Sequence, residues 1–267
     1  MNKLTTKLDS LRAGKKKALS LFITAGFPTA DITVPLVVEL AKNGADMIEL
    51  GIPFSDPIAD GPVIQHSSEV SLRNGTTLQK TFAMAEEIRK RTDIPLILMG
   101  YANPILAYGL PAFFDRCNSA GIDGCIIPDI SLEESEEYRS LALKNNISAI
   151  FLAAPTTTTE RLTRLDNAST GFLYCVSVIG VTGERSGLMP QVPEFLNRVH
   201  ATVKKNPVLV GFGISTPDDA VRLAGLSDGV IIGSALVKLL SSTNGSTRIE
   251  KVVHYVRSIR QALDSLH

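Results

Sequence analysis

The 267-residue sequence predicts a (β/α)8 barrel. Three observations carry that reading. Short apolar runs recur about thirty residues apart, and amphipathic stretches at helical spacing fill the gaps between them. No GxGxxG follows the first run, where ITAGFPT stands instead, so the open doubly wound sheet loses its phosphate fingerprint. Parallel strands joined by helices take right-handed crossovers, and eight such units close on themselves. At this length a barrel is one domain, here residues 1–267.

The elements follow in order. An extra N-terminal helix, LTTKLDSLRAG, precedes the first strand, ALSLFITAG. The helix DITVPLVVELAKNG ends at Gly44 and leads into the second strand, MIELG. The helix LQKTFAMAEEIRKRT then precedes the third strand, PLILMGY, and the fourth is GCIIPD. LEESEEYRSLALKNN shows apolar residues at helical spacing among charges. Strands five to eight are SAIFLAA, FLYCVS, PVLVGFG and GVIIGS, and SALVKLL begins a short helix after the last.

Composition narrows the function. The 44% hydrophobic and 20% charged residues are those of a globular protein with a sizeable core. Lys plus Arg and Asp plus Glu both number 27, so no net charge recruits nucleic acid, and the run Lys15, Lys16, Lys17 reads as a solvated lead-in to the first strand. The start lacks the apolar stretch of a secretory signal and no segment is long enough to span a bilayer, so a cytoplasmic location is expected and a membrane partner is not. Cys117, Cys125 and Cys175 have no CxxC spacing and read as buried thiols. The four histidines show no ligand spacing either, so no metal is expected.

In a barrel the functional groups gather at the C-terminal ends of the strands. Period-two alternation in MIELG puts Ile48 and Leu50 on one face and Met47, Glu49 and Gly51 on the other. A carboxylate on the inward face of an apolar strand is costly unless it is paired or functional. The loop that follows carries Asp56 and Asp60 between Pro53, Pro57 and Pro62, and Asp60 beside Glu49 makes a pair able to act on different parts of one ligand. Gly211, Gly213, Gly233 and Ser234 form a second group. Glycines past strands seven and eight let backbone approach an anion, and the helix after Gly233 would point free N–H groups at a phosphate. The segment GVTGERSG, Gly180 to Gly187, reads as a lid that closes over the ligand, with Thr182 and Gly183 meeting it. On the same barrel end, GIPFSDPIADGP and ANPILAYG read as projecting loops, with Ile58 and Ile105 exposed for a partner.

At these residues the sequence resembles the tryptophan synthase alpha chain family. IELGIPFSDPIADG resembles that family's signature segment, and FITAGFPT, MGYANPI, GVTG, GFGIS and IIGSALV stand in the family's order along nearly the whole chain. The resemblance implies a TIM barrel that cleaves indole-3-glycerol phosphate to indole and glyceraldehyde 3-phosphate, working in an α2β2 hetero-tetramer with a beta chain that carries pyridoxal phosphate. It implies Glu49 and Asp60 as the catalytic acids, and Gly183, Gly213, Gly233 and Ser234 as the phosphate-binding groups. Phe22, Tyr101, Tyr174, Thr182 and Phe212 match substrate-lining positions. The indole pocket maps onto Phe22, Met99, Ile126 and Leu152, with Pro128 at a position often held by a small residue. No cofactor is implied in this chain.

Two other readings follow from the same residues. An indole-glycerol-phosphate synthase would share the phosphate site but needs an inward lysine, and the eight strands contain none. A non-catalytic barrel subunit that binds phosphate ligands and regulates a partner would have no use for both Glu49 and Asp60.

Overall fold

The computed structural model describes residues 2–176, 191–211, 213–243 and 245–266, with Gln191 and Ser246 as backbone alone. Among them, nine parallel strands form one sheet: β1 (Ala18–Thr24), β2 (Met47–Gly51), β3 (Leu96–Met99), β4 (Gly124–Ile126), β5 (Ser148–Ile150), β6 (Leu152–Ala153), β7 (Leu173–Val176), β8 (Val208–Gly211) and β9 (Gly229–Ile232). The order is β5-β4-β3-β2-β1-β9-β8-β7-β6. β1 joins the two halves, pairing Phe22 with Glu49 of β2 on one side and Leu21 with Ile232 of β9 on the other.

The sequence reading of eight strands differs from this at one place. Its fifth strand is broken at Phe151 into β5, which pairs with β4, and β6, which pairs with β7. Side chains beyond the strand explain the break. The Phe151 N–H donates to the Ser169 hydroxyl at 3.3 Å and the Ala149 N–H to the Thr170 hydroxyl at 2.8 Å, in place of a neighbouring ladder. The Phe151 carbonyl accepts from the Tyr174 N–H at 3.0 Å. The chain thus hands its hydrogen bonds from β4 to β7 within a few residues, and the barrel closes through it.

Alternation along the strands builds two apolar layers. Leu19, Leu21, Ile48, Leu50, Leu96, Leu98, Val208, Val210 and Val230 face outward against the helices. Ala18, Met47, Ile97, Ile126, Ile150, Leu209 and Ile231 fill the interior, where Leu4 and Leu8 of the N-terminal helix Lys3–Ala13 join them. That helix is capped by Asn2, whose side chain accepts from the Thr5 N–H at 3.0 Å, and its two leucines plug the N-terminal end of the barrel. The C-terminal end is left for chemistry.

Aspartates placed just before strands stitch that plugged end. Asp46 Oδ2 accepts from the Leu19 N–H at 2.9 Å, Asp123 Oδ2 from the Leu96 N–H at 3.0 Å, and Asp228 Oδ2 from the Val208 N–H at 2.8 Å. Each satisfies a backbone donor at the start of the strand beside its own. Arg260 pairs with Asp46 and Arg89 with Asp123, which keeps these two buried carboxylates matched with charge.

Two helices near the site were not named in the sequence reading, which left residues 63–77 unassigned and read ANPILAYG as a loop. Pro62–Arg73 follows the β2 loop, with Gly61 before it and proline in its first turn. Its barrel-facing side is made partly of Ser67, Ser68 and Ser71, so apolar periodicity is weak. The Ser67 hydroxyl shares a 2.6 Å hydrogen bond with Thr24, and Ser71 donates to the Ala25 carbonyl. The segment ANPILAYG holds the helix Ala102–Tyr108. This corrects Ile105, which faces the core and is 1% exposed, whereas the next residue, Leu106, is 55% exposed.

Candidate active site

Glu49 sits in the middle of β2, fully buried. Its Oε1 accepts from the Ser20 hydroxyl of β1 at 2.7 Å, and Oε2 has no hydrogen-bond partner among the described residues. Burial pushes its carboxyl up from 4.5 to about 7, against the opposing pull of the Ser20 hydrogen bond. A carboxyl with that value exchanges protons at neutral pH, which is what a general acid or base requires.

Asp60 is held differently. Its loop runs from β2 to the helix Pro62–Arg73, and the side chain is half-buried. Burial raises its carboxyl to about 6, and a hydrogen bond from Tyr101 works in the opposite direction. The Tyr101 hydroxyl also accepts from the Ala59 N–H at 3.0 Å, and its ring stacks on Phe54 at 5.4 Å between centroids. One tyrosine just past β3 therefore straps the loop at three points. Beyond burial, negative charge at Asp60 and Asp129 raises the Tyr101 hydroxyl, so it stays protonated and donating.

Tyr174 lies within the fields of both carboxyls. It stands on β7 beside Leu152 and Leu209, and its hydroxyl is pushed up by burial and then by the negative fields of Glu49 and Asp60. Its ring occupies the room that Gly211 leaves, since a Cβ there would lie 2.7 Å from the ring. Gly51 does the same for Phe22, whose ring tip would come within 2.6 Å of an added Cβ. Around these groups the interior is apolar. Met99 lies across from Ile126 and Leu152 across from Tyr174, and these four pack into the interior apolar layer, while Phe22 is buried on β1 opposite Glu49.

Gly233 precedes the helix Ser234–Ser242, whose first turn has no side-chain cap. The leading N–H groups of such a helix have no intrahelical acceptor and carry the positive end of its dipole. Gly213 follows β8 with φ +58, the left-handed region where glycine is at ease, and a Cβ there would meet nothing within 4 Å. Gly213, Gly233 and Ser234 thus stand past the ends of the neighbouring strands β8 and β9, as a phosphate cradle needs. Thr182, Gly183 and Phe212, together with the lid reading for Gly180 to Gly187, lie outside the described residues.

The sequence reading missed Ser20. A polar residue at an inward position between Ala18 and Phe22 was the available signal. Among the described residues no three His, Cys, Asp or Glu side chains gather where a metal could sit, and no helix is long and apolar enough to cross a membrane.

The profile of the tryptophan synthase alpha chain family matches residues 8–264. The chain belongs to that family. The family is a lyase of tryptophan biosynthesis, and it has a beta-chain partner. The tryptophan synthase alpha chain of Geotalea uraniireducens is 43% identical over 268 residues, covering 100% of this chain and 99% of that one. That of Solibacter usitatus is 44% identical, covering 94% and 93%. Among solved structures, the alpha chain from Legionella pneumophila superposes with a TM-score of 0.90 at 36% identity, covering 100% of this chain and 98% of that one. A ligand-free tryptophan synthase from M. tuberculosis gives 0.88 at 33%, covering 98% and 99%.

Proposed function

We propose that this chain cleaves indole-3-glycerol phosphate to indole and glyceraldehyde 3-phosphate, with Glu49 moving the protons and Asp60 stabilising the indole ring. The observation that carries the reading is the fully buried Glu49, lifted to about 7 in the apolar barrel interior, with a second raised carboxyl, Asp60, on the loop after the same strand. Breaking the bond between indole C3 and the glycerol chain is a retro-aldol-type cleavage. C3 gains a proton, the ring nitrogen takes up positive charge, and the neighbouring hydroxyl loses its proton as the aldehyde forms. Asp60, fixed by Tyr101, accepts the ring N–H more strongly as that charge grows, which lowers the transition state more than the ground state. Glu49 suits the proton transfers because its neutral and charged forms are nearly balanced at pH 7.

Phe22, Met99, Ile126, Leu152, Tyr174 and Phe212 hold the indole. Gly183, Gly213, Gly233 and Ser234 hold the phosphate, with Thr182 closing over the substrate. The same proposal takes residues 1–267 as a single barrel domain, an α2β2 assembly with pyridoxal phosphate in the beta chain only, and a cytoplasmic location. Ile58, 83% exposed on the loop of Asp60, and Leu106 suit the beta-chain surface better than water. Incubating the purified chain with indole-3-glycerol phosphate tests the reading. Indole and glyceraldehyde 3-phosphate should appear in equal amounts, and absence of both with and without a beta chain would exclude it.

A further inference from the structure

We propose that Ser20 is a positioning residue for this cleavage: its hydroxyl fixes the rotamer of Glu49 and favours the charged carboxylate, and so sets the pH range in which the barrel works. The inference rests on the catalytic role proposed for Glu49. Ser20 is fully buried on β1, on the inward face between Ala18 and Phe22, and its register partner on β2 is Met47, two residues before Glu49. A hydroxyl in that apolar setting is costly unless bonded, and an alanine would cost nothing. Its one proton goes to Glu49 Oε1 at 2.7 Å, which leaves Oε2 for the reacting groups.

The surroundings make that single bond count. From β7, Tyr174 faces Glu49 as a neutral phenol, and Asp60 bears on the same ring from the β2 loop. β3 presents only Ile97 and Met99 beside the inward residues of β2. Among the described residues no lysine, arginine or histidine contributes to the charge balance of Glu49, so the Ser20 hydroxyl is the one group that favours its ionised form. A bond to a charged acceptor in a dry setting is stronger than one between neutral groups.

The test is kcat/KM for indole release against pH in the wild type, Ser20→Ala and Ser20→Thr. Loss of the donor should move the limb set by Glu49 upward by about one pH unit, while Ser20→Thr, which keeps a hydroxyl, should restore it. A purely packing role would lower the rate at every pH and leave the limb where it was. A folded Ser20→Ala with an unmoved limb, or a shift equal in Ala and Thr, would overturn the inference. Should the alanine variant fail to fold, Ser20→Cys, similar in size with a weaker donor, should move the limb in the same direction, and an unmoved limb there overturns it too. Glu49→Gln in the same assay separates the two failures. If it is inactive, only the Ser20 inference is at stake, whereas an active Glu49→Gln removes the catalytic reading itself.

Discussion

Glu49→Gln should make this barrel more stable while stopping its chemistry, and the gain should depend on pH. The folded chain holds the Glu49 proton up to about pH 7, whereas the unfolded chain releases it near the ordinary 4.5. Between those values unfolding releases a proton, so stability falls as pH rises through the window, and the full cost stands above it. The glutamine variant has no proton to lose. A difference of about 2.5 units at about 1.4 kcal/mol each gives roughly 3 kcal/mol in favour of Gln at pH 8.5, and the same arithmetic gives about 1 kcal/mol at pH 5. For a domain of this size that is a rise in Tm of about 6–12 °C at the higher pH and about 2–4 °C at the lower. Thermal melts of both proteins at the two pH values measure it. A glutamine variant that melts no higher than wild type at pH 8.5, or whose gain is equal at pH 5, would refute the claim that the fold keeps an ionisable carboxyl at a cost in stability.

Other outcomes follow from the same geometry. Tyr101→Phe removes the hydroxyl that donates to Asp60 and accepts from Ala59, so indole release should fall roughly ten- to a hundredfold, and an unchanged rate would remove Tyr101 as the strap on that loop. Gly211→Ala puts a Cβ 2.7 Å from the Tyr174 ring and should cost about 1–3 kcal/mol in denaturant melts; no loss would mean that the ring moves aside freely. Glycerol phosphate at millimolar concentration should raise the wild-type Tm through its preference for the folded state, and a bulky residue at Gly233 should abolish that shift and raise KM more than it lowers kcat. Titration with a beta chain should raise the cleavage rate at least several-fold, on the order of a 1–3 kcal/mol coupling, and neither complex nor rate change would count against the Ile58 and Leu106 face.

What could be read from the residues was what a local period carries. The strands and the inward side of Glu49 follow from alternation within MIELG, and the glycines past β8 and β9 follow from their place at strand ends. The features that were hidden depend on partners far along the chain. The break at Phe151 is made by the hydroxyls of Ser169 and Thr170, about twenty residues away, and no period in SAIFLAA announces it. The helix Pro62–Arg73 was obscured because serines replace apolar residues on its buried side. Ile105 was misplaced because ANPILAYG was read as a loop, where an isoleucine has no preferred face, whereas one helical turn points it inward and leaves Leu106 outside. One repeated signal was legible and unused: GAD, GID and LSD each end in an aspartate just before a strand, and each of those aspartates caps the strand beside it.

The central claim is that two carboxyls, Glu49 inside the barrel and Asp60 on its rim, carry the cleavage together. The most direct measurement is indole formed from indole-3-glycerol phosphate by the wild type, Glu49→Gln and Asp60→Asn, each with a saturating beta chain and each shown to be folded by its melt. The wild type should release indole, and both amides should lose at least about a hundredfold, since each keeps the side chain's shape and removes the proton transfer or the developing charge pair. Indole release near the wild-type rate by either variant would contradict the account.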